Sequence, residues 1–433
     1  MTPNKISVGD YLILQKQNYK KLLKFNKPNL TVTVGRDTIN LTGIEGWPYF
    51  SVFKMVSNSS KKNREYSLEL TQEIVNLKDE IDVKISGNDN RNIFDDGHSQ
   101  KLSAADIEEL KVDSSKASDI VETLITNSNT FHSKTEFSQE KYLRKKEKKY
   151  FEYIQIVRPN LRIITEVMYK LDPGKIQGIR VDTLSQIITM ANIQSEGNHL
   201  LYDSGSNGLL AAALLSAIGN QTNGKLVHMH PGNMSQKQAL LAMNFNEEHL
   251  NRCISVNVYS ALRQYYQGCD TNDNTSSELN HLKRKAEDCI EIKSKVSKTE
   301  NAIDKYINTE DDNISEDSKP EPKKPKWHFD NIAASTILKD KMDSLVIACK
   351  EDPKNIFNEL LEFVKPGRPF VIYYNVAEPL QQLYMLLKSM SNVAALKLSC
   401  NWMRNYQVLP DRTHPEVTMD GAGGFLLTGY VLK

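Results

Sequence analysis

The sequence predicts a fold of the α+β and α/β classes: a small N-terminal β-barrel followed by a Rossmann-like α/β domain. Three observations lead to this prediction. Short runs of alternating hydrophobicity fill residues 6–56, a strand–glycine turn–helix pattern occupies 200–215, and strand and helix patterns alternate after it. Period-two runs between turn residues are typical of small barrels. Alternating strands and helices are typical of a mostly parallel sheet.

Length and composition limit the class of protein. A chain of 433 residues is longer than a single core usually supports, so we expect two or three domains. The formal net charge of +1 excludes a globally basic chain, so any RNA-binding surface must be local or supplied by a partner. The 5 cysteines form no C-x-x-C pair, which is typical of a reducing compartment. With no signal sequence and no membrane-length apolar run, we expect a soluble intracellular protein.

The barrel is predicted over residues 1–83, from the strand-like runs YLILQ, YKKLLKF, LTVTVG, DTINL and YFSVFKMV and a sixth at 66–70. A polar linker over 84–104 follows, and then a helical connector over 105–157 that contains a basic helix. Strand patterns alone do not distinguish a barrel that binds RNA from one that is only a folding module.

The Rossmann-like domain is predicted over 158–433, and its last strands form a closing antiparallel pair. Within it, residues 270–326 are rich in Asn, Ser, Glu and Lys and predict a disordered insertion. The insertion contains KRK at 283–285 and PKKPK at 322–326. Such clusters suit a nuclear import signal, and a solvated charge run is the simpler alternative.

The stretch LLYDSGSNGLLAAALL, residues 200–215, has the pattern of a cofactor loop with substitutions at critical positions. In Rossmann-like methyltransferases an acidic residue precedes three alternate glycines, because the cofactor presses against the backbone there. Here Asp203 and Gly205 match, while Asn207 and Leu209 replace the second and third glycines and Gly208 lies between them. Asn tolerates a left-handed backbone. We expect Leu209 to fill cofactor space or to wedge the helix from the strand.

Two further positions predict a degenerate cofactor site of the methyltransferase type. The strand KLVHMH ends at His230 instead of a carboxylate that accepts both ribose hydroxyls. After the fourth strand, Asp352–Pro353 is a partial match to the D-P-P-Y element of base-methylating enzymes, and it equally suits a helix start. We therefore predict no catalytic residue and no bound cofactor in this chain. His228 and His230 have no third ligand at useful spacing, so no metal site is predicted.

The basic helix EFSQEKYLRKKEKKYF is the main candidate for contact with RNA. Lys141, Arg144, Lys145 and Lys148 lie at i, i+3, i+4 and i+7 and share one face, which spans about 10 Å. Such a stripe suits two neighbouring phosphates. The flanking candidates are Lys134, Lys146 and Lys149. A solvated helix with Glu140 and Glu147 as partners is the alternative.

Arg404 and Arg412 flank the closing hairpin near the C-terminus. Each has the chemistry to hold phosphate or to brace the hairpin, and the sequence does not choose between the two.

Four stretches together resemble a known family. They are FHSKTEFSQEKYLRKKEKKYF, RVDTLSQI, the degenerate loop, and YQVLPDRTHPEVTMDGAGGFLLTGYVL. They are similar to the non-catalytic, tRNA-binding subunits of the eukaryotic complexes that form 1-methyladenosine at position 58 of the tRNA T-loop. The likeness covers most of the chain from about Ile6 onward, apart from the linker and the insertion.

The resemblance implies a nuclear heterotetramer of two such chains with two catalytic chains. S-adenosylmethionine and the catalytic acid would then belong to the partner, and this chain would bind tRNA. Two rival hypotheses remain open from the sequence: a self-sufficient S-adenosylmethionine-dependent RNA methyltransferase, and an RNA-binding, translation-linked scaffold with no role in methylation.

Overall fold

A computed structural model describes residues 5–57, 65–71, 86–87, 89, 99–113, 117–150, 153–268, 325–408, 413–417, 419 and 421–433. Most of the predicted linker at 84–104 and nearly all of the predicted insertion at 270–326 lie outside these residues.

The N-terminal domain is a nearly closed sheet of seven strands in the order β2-β1-β7-β5-β6-β4-β3. Across the remaining gap, the Lys21 ammonium on β2 donates to the Thr33 carbonyl on β3 at 2.6 Å. The strands are β1 (Tyr11–Lys16), β2 (Tyr19–Lys24), β3 (Thr31–Val34), β4 (Asp37–Asn40), β5 (Val52–Ser57), β6 (Glu65–Thr71) and β7 (Tyr153–Val157). The six strands expected from the sequence are all present.

Strand β7 differs from the sequence-based division of the chain. Residues 105–157 were expected to form a helical connector, yet β7 lies inside the barrel sheet, antiparallel to both β1 and β5. Its side chains alternate between the barrel core and the outside, with Ile154 and Ile156 buried. Five residues are too few for a periodicity that separates a strand from the end of a preceding helix.

In the described part of the chain between β6 and β7 there are three helices: α1 (Ala104–Asp113), α2 (Ala117–Thr126) and α3 (Glu136–Tyr150). They have a small apolar core of their own, formed by Ile120, Val121, Leu124, Ile125, Phe131 and Leu143. Because β7 returns to the barrel, this helical unit is an insertion between two barrel strands.

The second domain is a seven-stranded sheet in the order β10-β9-β8-β11-β12-β16-β13, as expected for a Rossmann-like domain of the methyltransferase type. Its first five strands are parallel, and β16 is antiparallel to both β12 and β13, which confirms the closing antiparallel pair. The strands are β8 (Asn198–Asp203), β9 (Lys225–His230), β10 (Cys253–Asn257), β11 (Ser344–Ala348), β12 (Pro369–Tyr374), β13 (Val393–Trp402) and β16 (Ala422–Val431); β14 (Tyr406–Gln407) and β15 (His414–Pro415) form a separate hairpin.

Helices cover both faces of this sheet, and two buried apolar clusters lie beneath them. The helices are α4 (Leu161–Leu171), α5 (Val181–Met190), α6 (Leu209–Ile218), α7 (Gln238–Ala242), α8 (Glu247–Asn251), α9 (Val258–Gln267), α10 (Lys326–Lys339), α11 (Pro353–Leu360) and α12 (Glu378–Lys388). Strand order reverses direction between β8 and β11. Ligands of such sheets bind where the strands end beside this reversal, so a functional site is expected there.

The barrel and the Rossmann-like domain are in direct contact. The Asn244 side chain both accepts from the Tyr11 backbone N–H at 2.8 Å and donates to the Tyr11 carbonyl at 2.9 Å. A second link joins the Lys20 ammonium to the Glu166 carboxylate at 3.2 Å. In the described part of the chain, no helix combines the length and the apolar character needed to cross a bilayer.

Candidate functional site

The Asp203 carboxylate at the end of β8 is engaged by its own loop. One of its oxygens accepts the backbone N–H groups of Gly205 at 3.0 Å and Ser206 at 2.7 Å, and the other accepts the Ser206 hydroxyl. Asp203 is buried. Its hydrogen bonds stabilise the turn that leads into α6, so its carboxylate serves the loop itself.

Two consecutive left-handed residues complete this loop, with φ of 57° at Asn207 and 78° at Gly208. Asn207 thus adopts the left-handed conformation that asparagine tolerates. The Asn207 side-chain amide donates to the Gln238 side-chain oxygen at 2.7 Å, and its backbone N–H donates to the Gln236 side chain at 3.2 Å. The loop is therefore tied to the chain segment that follows β9.

Atoms of other residues lie close above Gly205 and Gly208: side chains above the first and backbone above the second. A Cβ placed on Gly205 would lie 2.9 Å from the Lys350 ammonium nitrogen and 3.1 Å from the Gln177 side-chain nitrogen. A Cβ on Gly208 would lie 2.8 Å from the Gln236 carbonyl oxygen and 3.1 Å from Lys237 Cα. In a working loop the cofactor takes up the room that glycines leave. Here the side chains of Lys350 and Gln177 lie against Gly205, and the Gln236–Lys237 backbone lies against Gly208.

The Leu209 side chain does not lie over the loop. Its side chain is fully buried in the apolar cluster between the helices and the sheet, together with Ile164, Leu201 and Val346. Of the two expectations stated for Leu209, the structure differs from the first, that it fills cofactor space, and its position between helix and strand corresponds to the second. As the first residue of α6, Leu209 packs into the core between the helices and the sheet.

The end of β9 carries histidines instead of a carboxylate, as the sequence predicts. His228 and His230 line a small cavity of about 170 Å³ together with Asp203, Ser204, Pro231, Gly232, Met234 and Gln236. Pockets for drug-sized ligands measure roughly 300–1,000 Å³. The cavity is thus too small for a complete nucleoside cofactor.

Burial keeps both imidazoles neutral. It lowers the pKa of His228 to about 4 and also lowers the pKa of His230. His228 Nε2 lies 3.9 Å from the Asp203 carboxylate, beyond hydrogen-bond distance. Among the described residues, no group of three or more His, Cys, Asp or Glu side chains is arranged to hold a metal ion.

These residues do not fit S-adenosylmethionine. The cofactor carries a positive sulfonium, and the Lys350 ammonium lies against the loop where it would bind. Its ribose hydroxyls need a paired acceptor, which a neutral imidazole at His230 does not supply. We therefore derive no methyl-transfer step from the residues of this chain.

The Asp352–Pro353 pair begins a helix. The Asp352 carboxylate accepts the Lys354 backbone N–H at 3.0 Å as the N-cap of α11, and Pro353 is the first helical residue. The helix-start interpretation of this pair is confirmed. Lys350, just before it, was not singled out from the sequence, because a lysine after a buried strand belongs to no motif.

The basic helix α3 presents some of its predicted lysines to solvent. Lys141 and Lys145 are exposed one turn apart, and Leu143 packs into the helical core. Lys134 and Lys146 lie over the Tyr142 ring, at 5.6 Å and 5.0 Å from its centroid. The side chains of Arg144, Lys148 and Lys149 are outside the described residues.

Of the two candidate arginines near the C-terminus, Arg404 and Arg412, only Arg404 lies within the described residues. Arg404 Nε donates to the Glu416 carbonyl at 3.2 Å and so braces the segment that carries the β14–β15 hairpin. Arg412 lies outside the described residues.

A third arginine, Arg180, was not singled out from the sequence, although it begins the RVDTLSQI stretch. It is buried, makes a bidentate pair with Asp182 at 2.6 Å and 2.8 Å, and donates to the Gly421 carbonyl at 3.1 Å.

Comparisons with known proteins identify a family and several similar proteins. The Gcd10p family matches residues 5–306. A mouse protein named tRNA (adenine(58)-N(1))-methyltransferase non-catalytic subunit TRM6 is 32% identical, over 98% of this chain and 88% of its own length. A Dictyostelium discoideum protein of the same name is 30% identical, over 99% of this chain and 80% of its own.

Two solved structures are also similar. One is a SAM-dependent O-methyltransferase from Thermotoga maritima, with 12% identity and a TM-score of 0.48 over 100% of this chain and 97% of that one. The other is the tRNA (m1A58) methyltransferase TrmI from Aquifex aeolicus, with 12% identity and a TM-score of 0.44 over 99% of this chain and 100% of that one. The family match, together with two relatives that align with nearly all of this chain, shows that the chain belongs to the Gcd10p family.

Proposed function

We propose that this chain is the non-catalytic, tRNA-binding subunit of the methyltransferase that forms 1-methyladenosine at position 58 of tRNA. The single observation that carries the proposal is the altered loop: Asn207 and Leu209 replace two of its glycines, and Lys350 and the Gln236–Lys237 backbone lie against Gly205 and Gly208. Membership of the Gcd10p family supports it, as do relatives named as non-catalytic subunits.

The proposal assigns S-adenosylmethionine and the catalytic residues to a partner chain, in an assembly of two chains of each kind. This chain would contribute tRNA binding and the architecture of the complex. The names of the mouse and Dictyostelium relatives support a catalytic partner, since a non-catalytic subunit requires one. Sedimentation of the purified complex tests the two-plus-two stoichiometry.

Calorimetry with S-adenosylmethionine tests where the cofactor binds. We expect no binding heat with the isolated full-length chain and saturable binding with the assembled complex, because only the partner would offer an open loop. Circular dichroism on the same sample checks that the isolated chain is folded. Binding of a folded, isolated chain at micromolar concentration would instead support the self-sufficient enzyme.

A methylation assay separates the proposal from the scaffold hypothesis. tRNA from cells depleted of this chain should lack 1-methyladenosine at position 58, and the restored chain should return it. Unchanged modification after depletion would favour a scaffold without a role in methylation.

We also propose that the protein is nuclear, on the basis of the basic clusters at 283–285 and 322–326. Nuclear accumulation should fall when both clusters are replaced by glutamines in cells in which the catalytic partner is retained in the cytoplasm. Unchanged accumulation under that condition would remove the clusters as the import signal.

A further inference from the structure

A cavity lies at the junction of the two domains. It measures about 430 Å³ and is bounded by β2 of the barrel, by the C-terminal end of α4 with the turn after it, and by Asn207 and Gln238. The domains are held together beside it by the Lys20–Glu166 ion pair. This volume lies within the range, roughly 300–1,000 Å³, that holds small ligands. We refer to it as the junction cleft.

The charged groups of the junction cleft are mostly cationic. Lys20, Lys21, Lys170 and Lys175 line it, against Glu166 and Asp172. Lys20 is paired with Glu166, while Lys170 and Lys175 are exposed at its rim. Lys175 lies 3.9 Å from Asp172, a contact between exposed side chains that is weak in water. The rim therefore attracts anionic groups such as phosphates.

Exposed apolar surface accompanies these charges. The Tyr19 side chain is 49% exposed and Leu171 is 79% exposed, and both line the cleft. Aromatic rings stack on nucleobases irrespective of sequence, because every base has a π-face. An aromatic and an aliphatic side chain among lysines suit a base with its phosphates better than they suit a free inorganic anion.

The Asn207–Gln238 pair adds a polar edge at the inner end of the cleft. Because the Asn207 amide donates to the Gln238 oxygen, Asn207 keeps an acceptor oxygen and Gln238 keeps a donor amide. A nucleobase edge also combines donors and acceptors, and asparagine and glutamine pair with such edges.

We propose that the junction cleft receives one unstacked nucleotide of an RNA strand. Lys170 and Lys175 contact its phosphates, Tyr19 and Leu171 pack against the base, and the Asn207–Gln238 pair meets the base edge. The inference rests on the proposed function, since it specifies where the same chain holds tRNA.

The first test measures salt-dependent binding of a fluorescein-labelled, unmodified tRNA transcript to the complex of this chain with its catalytic partner. The double variant Lys170→Gln/Lys175→Gln should lower the slope of log affinity against log salt by about 1.4, from two contacts of about 0.7 each. Lys225→Gln is the matched control, because Lys225 is exposed at the opposite end of the sheet, where β9 begins. Its slope should equal that of the wild type.

The second test addresses the base. Tyr19→Ala should weaken tRNA binding by about tenfold with an unchanged salt slope, because a stacked ring contributes affinity without releasing counterions. Tyr19→Phe keeps the ring and should restore the affinity. Loss of affinity in both variants would indicate a damaged barrel and would contradict the stacking role.

Two outcomes overturn the inference. One is an unchanged slope and affinity in all cleft variants while the wild-type complex binds and methylates tRNA, and in that case the proposed function stands. The other is dissociation of the partner from the cleft variants on size-exclusion chromatography, which would assign the cleft to a protein segment. Failure of the wild-type complex to methylate tRNA would count against the proposed function, independently of the slopes.

Discussion

At the scale of single residues, Gly205 and Gly208 are in contact with other parts of the chain, whereas the glycines of a cofactor loop usually leave room for the cofactor. Lys350 lies over the first and the Gln236 carbonyl over the second. Gly208 still has a conformational role, because its φ of 78° is unfavourable for other residues. Gly205 has no such constraint, and its close neighbour Lys350 is a flexible side chain.

Alanine substitutions at Gly205 and Gly208 should therefore lower the free energy of unfolding by different amounts. Gly208→Ala should lower the free energy of unfolding by about 2–3 kcal/mol, because it combines left-handed strain with a clash against backbone. Gly205→Ala should cost less than about 1 kcal/mol, since Lys350 moves aside. Urea unfolding at an unchanged m-value measures both. Equal losses would contradict this account of the loop.

At the scale of elements, hydrogen bonds from the start of α5 hold the beginning of β16 against the rest of the Rossmann-like domain. Arg180 donates to Asp182 and to the Gly421 carbonyl, and the Thr183 hydroxyl donates to the Gly423 carbonyl at 2.8 Å. Burial raises the pKa of Asp182, but hydrogen bonds and charge from Arg180 outweigh it and leave that pKa below its usual value. The pair thus holds β16 against the helical layer.

Removing Arg180 should be strongly destabilising. We expect Arg180→Met to lower the free energy of unfolding by about 3–5 kcal/mol, because it removes the charge partner of Asp182 and the donor to the Gly421 carbonyl. Arg162→Met is the control: Arg162 pairs with Glu166, but its side chain is 78% exposed, so the loss should stay below about 1 kcal/mol. Comparable losses in thermal or urea unfolding would show that the Arg180 network is not the fastening element.

The α3 helix is the other element with a testable role. Lys141 and Lys145 are exposed one turn apart and suit neighbouring phosphates. In the assembled complex, Lys141→Gln/Lys145→Gln should weaken tRNA binding and lower the salt slope by about 1.4. Lys339→Gln, an exposed lysine at the end of α10, is the control. Reversing Lys145 and Lys148 to glutamate should enlarge the effect, and unchanged affinity would make α3 a solvated helix.

At the scale of the whole molecule, buried histidines make stability depend on pH. Burial is the largest cause of the lowered pKa values of His199, His228, His230 and His249. A histidine with a lowered pKa in the folded state binds its proton more readily when the chain is unfolded. Stability is therefore complete above pH 6.5, the ordinary histidine value, and declines as the pH falls below it.

For His228 the window of declining stability runs from a pH of about 6.5 down to about 4. We expect the free energy of unfolding to be lower at pH 5 than at pH 7, and His228→Asn to reduce this difference. His414→Asn, an exposed position, is the control and should leave the difference unchanged. A pH dependence equal to that of the wild type in His228→Asn would contradict the assignment.

Local patterns in the sequence were sufficient to predict most elements and the nature of the loop. Alternating runs predicted six barrel strands, and the Asp203-to-Leu209 stretch predicted a turn that retains its shape without its chemistry. The missing carboxylate at His230 was equally visible in the printed sequence. These features depend on residues within a few positions of one another, which is the range over which periodicity and backbone preference act.

Only the tertiary structure placed β7 in the barrel, placed Leu209 in the core and showed that Lys350 lies against the loop. Each depends on residues far apart in the chain: the Lys350 backbone bonds Ser204 across 146 positions, and Lys20 meets Glu166 across 146 positions as well. The sequence by itself determined the ancestry of the fold and the loss of the loop pattern. The contacts that fill the loop and form the junction cleft arise only when separate elements pack together, and no local periodicity encodes which surfaces meet.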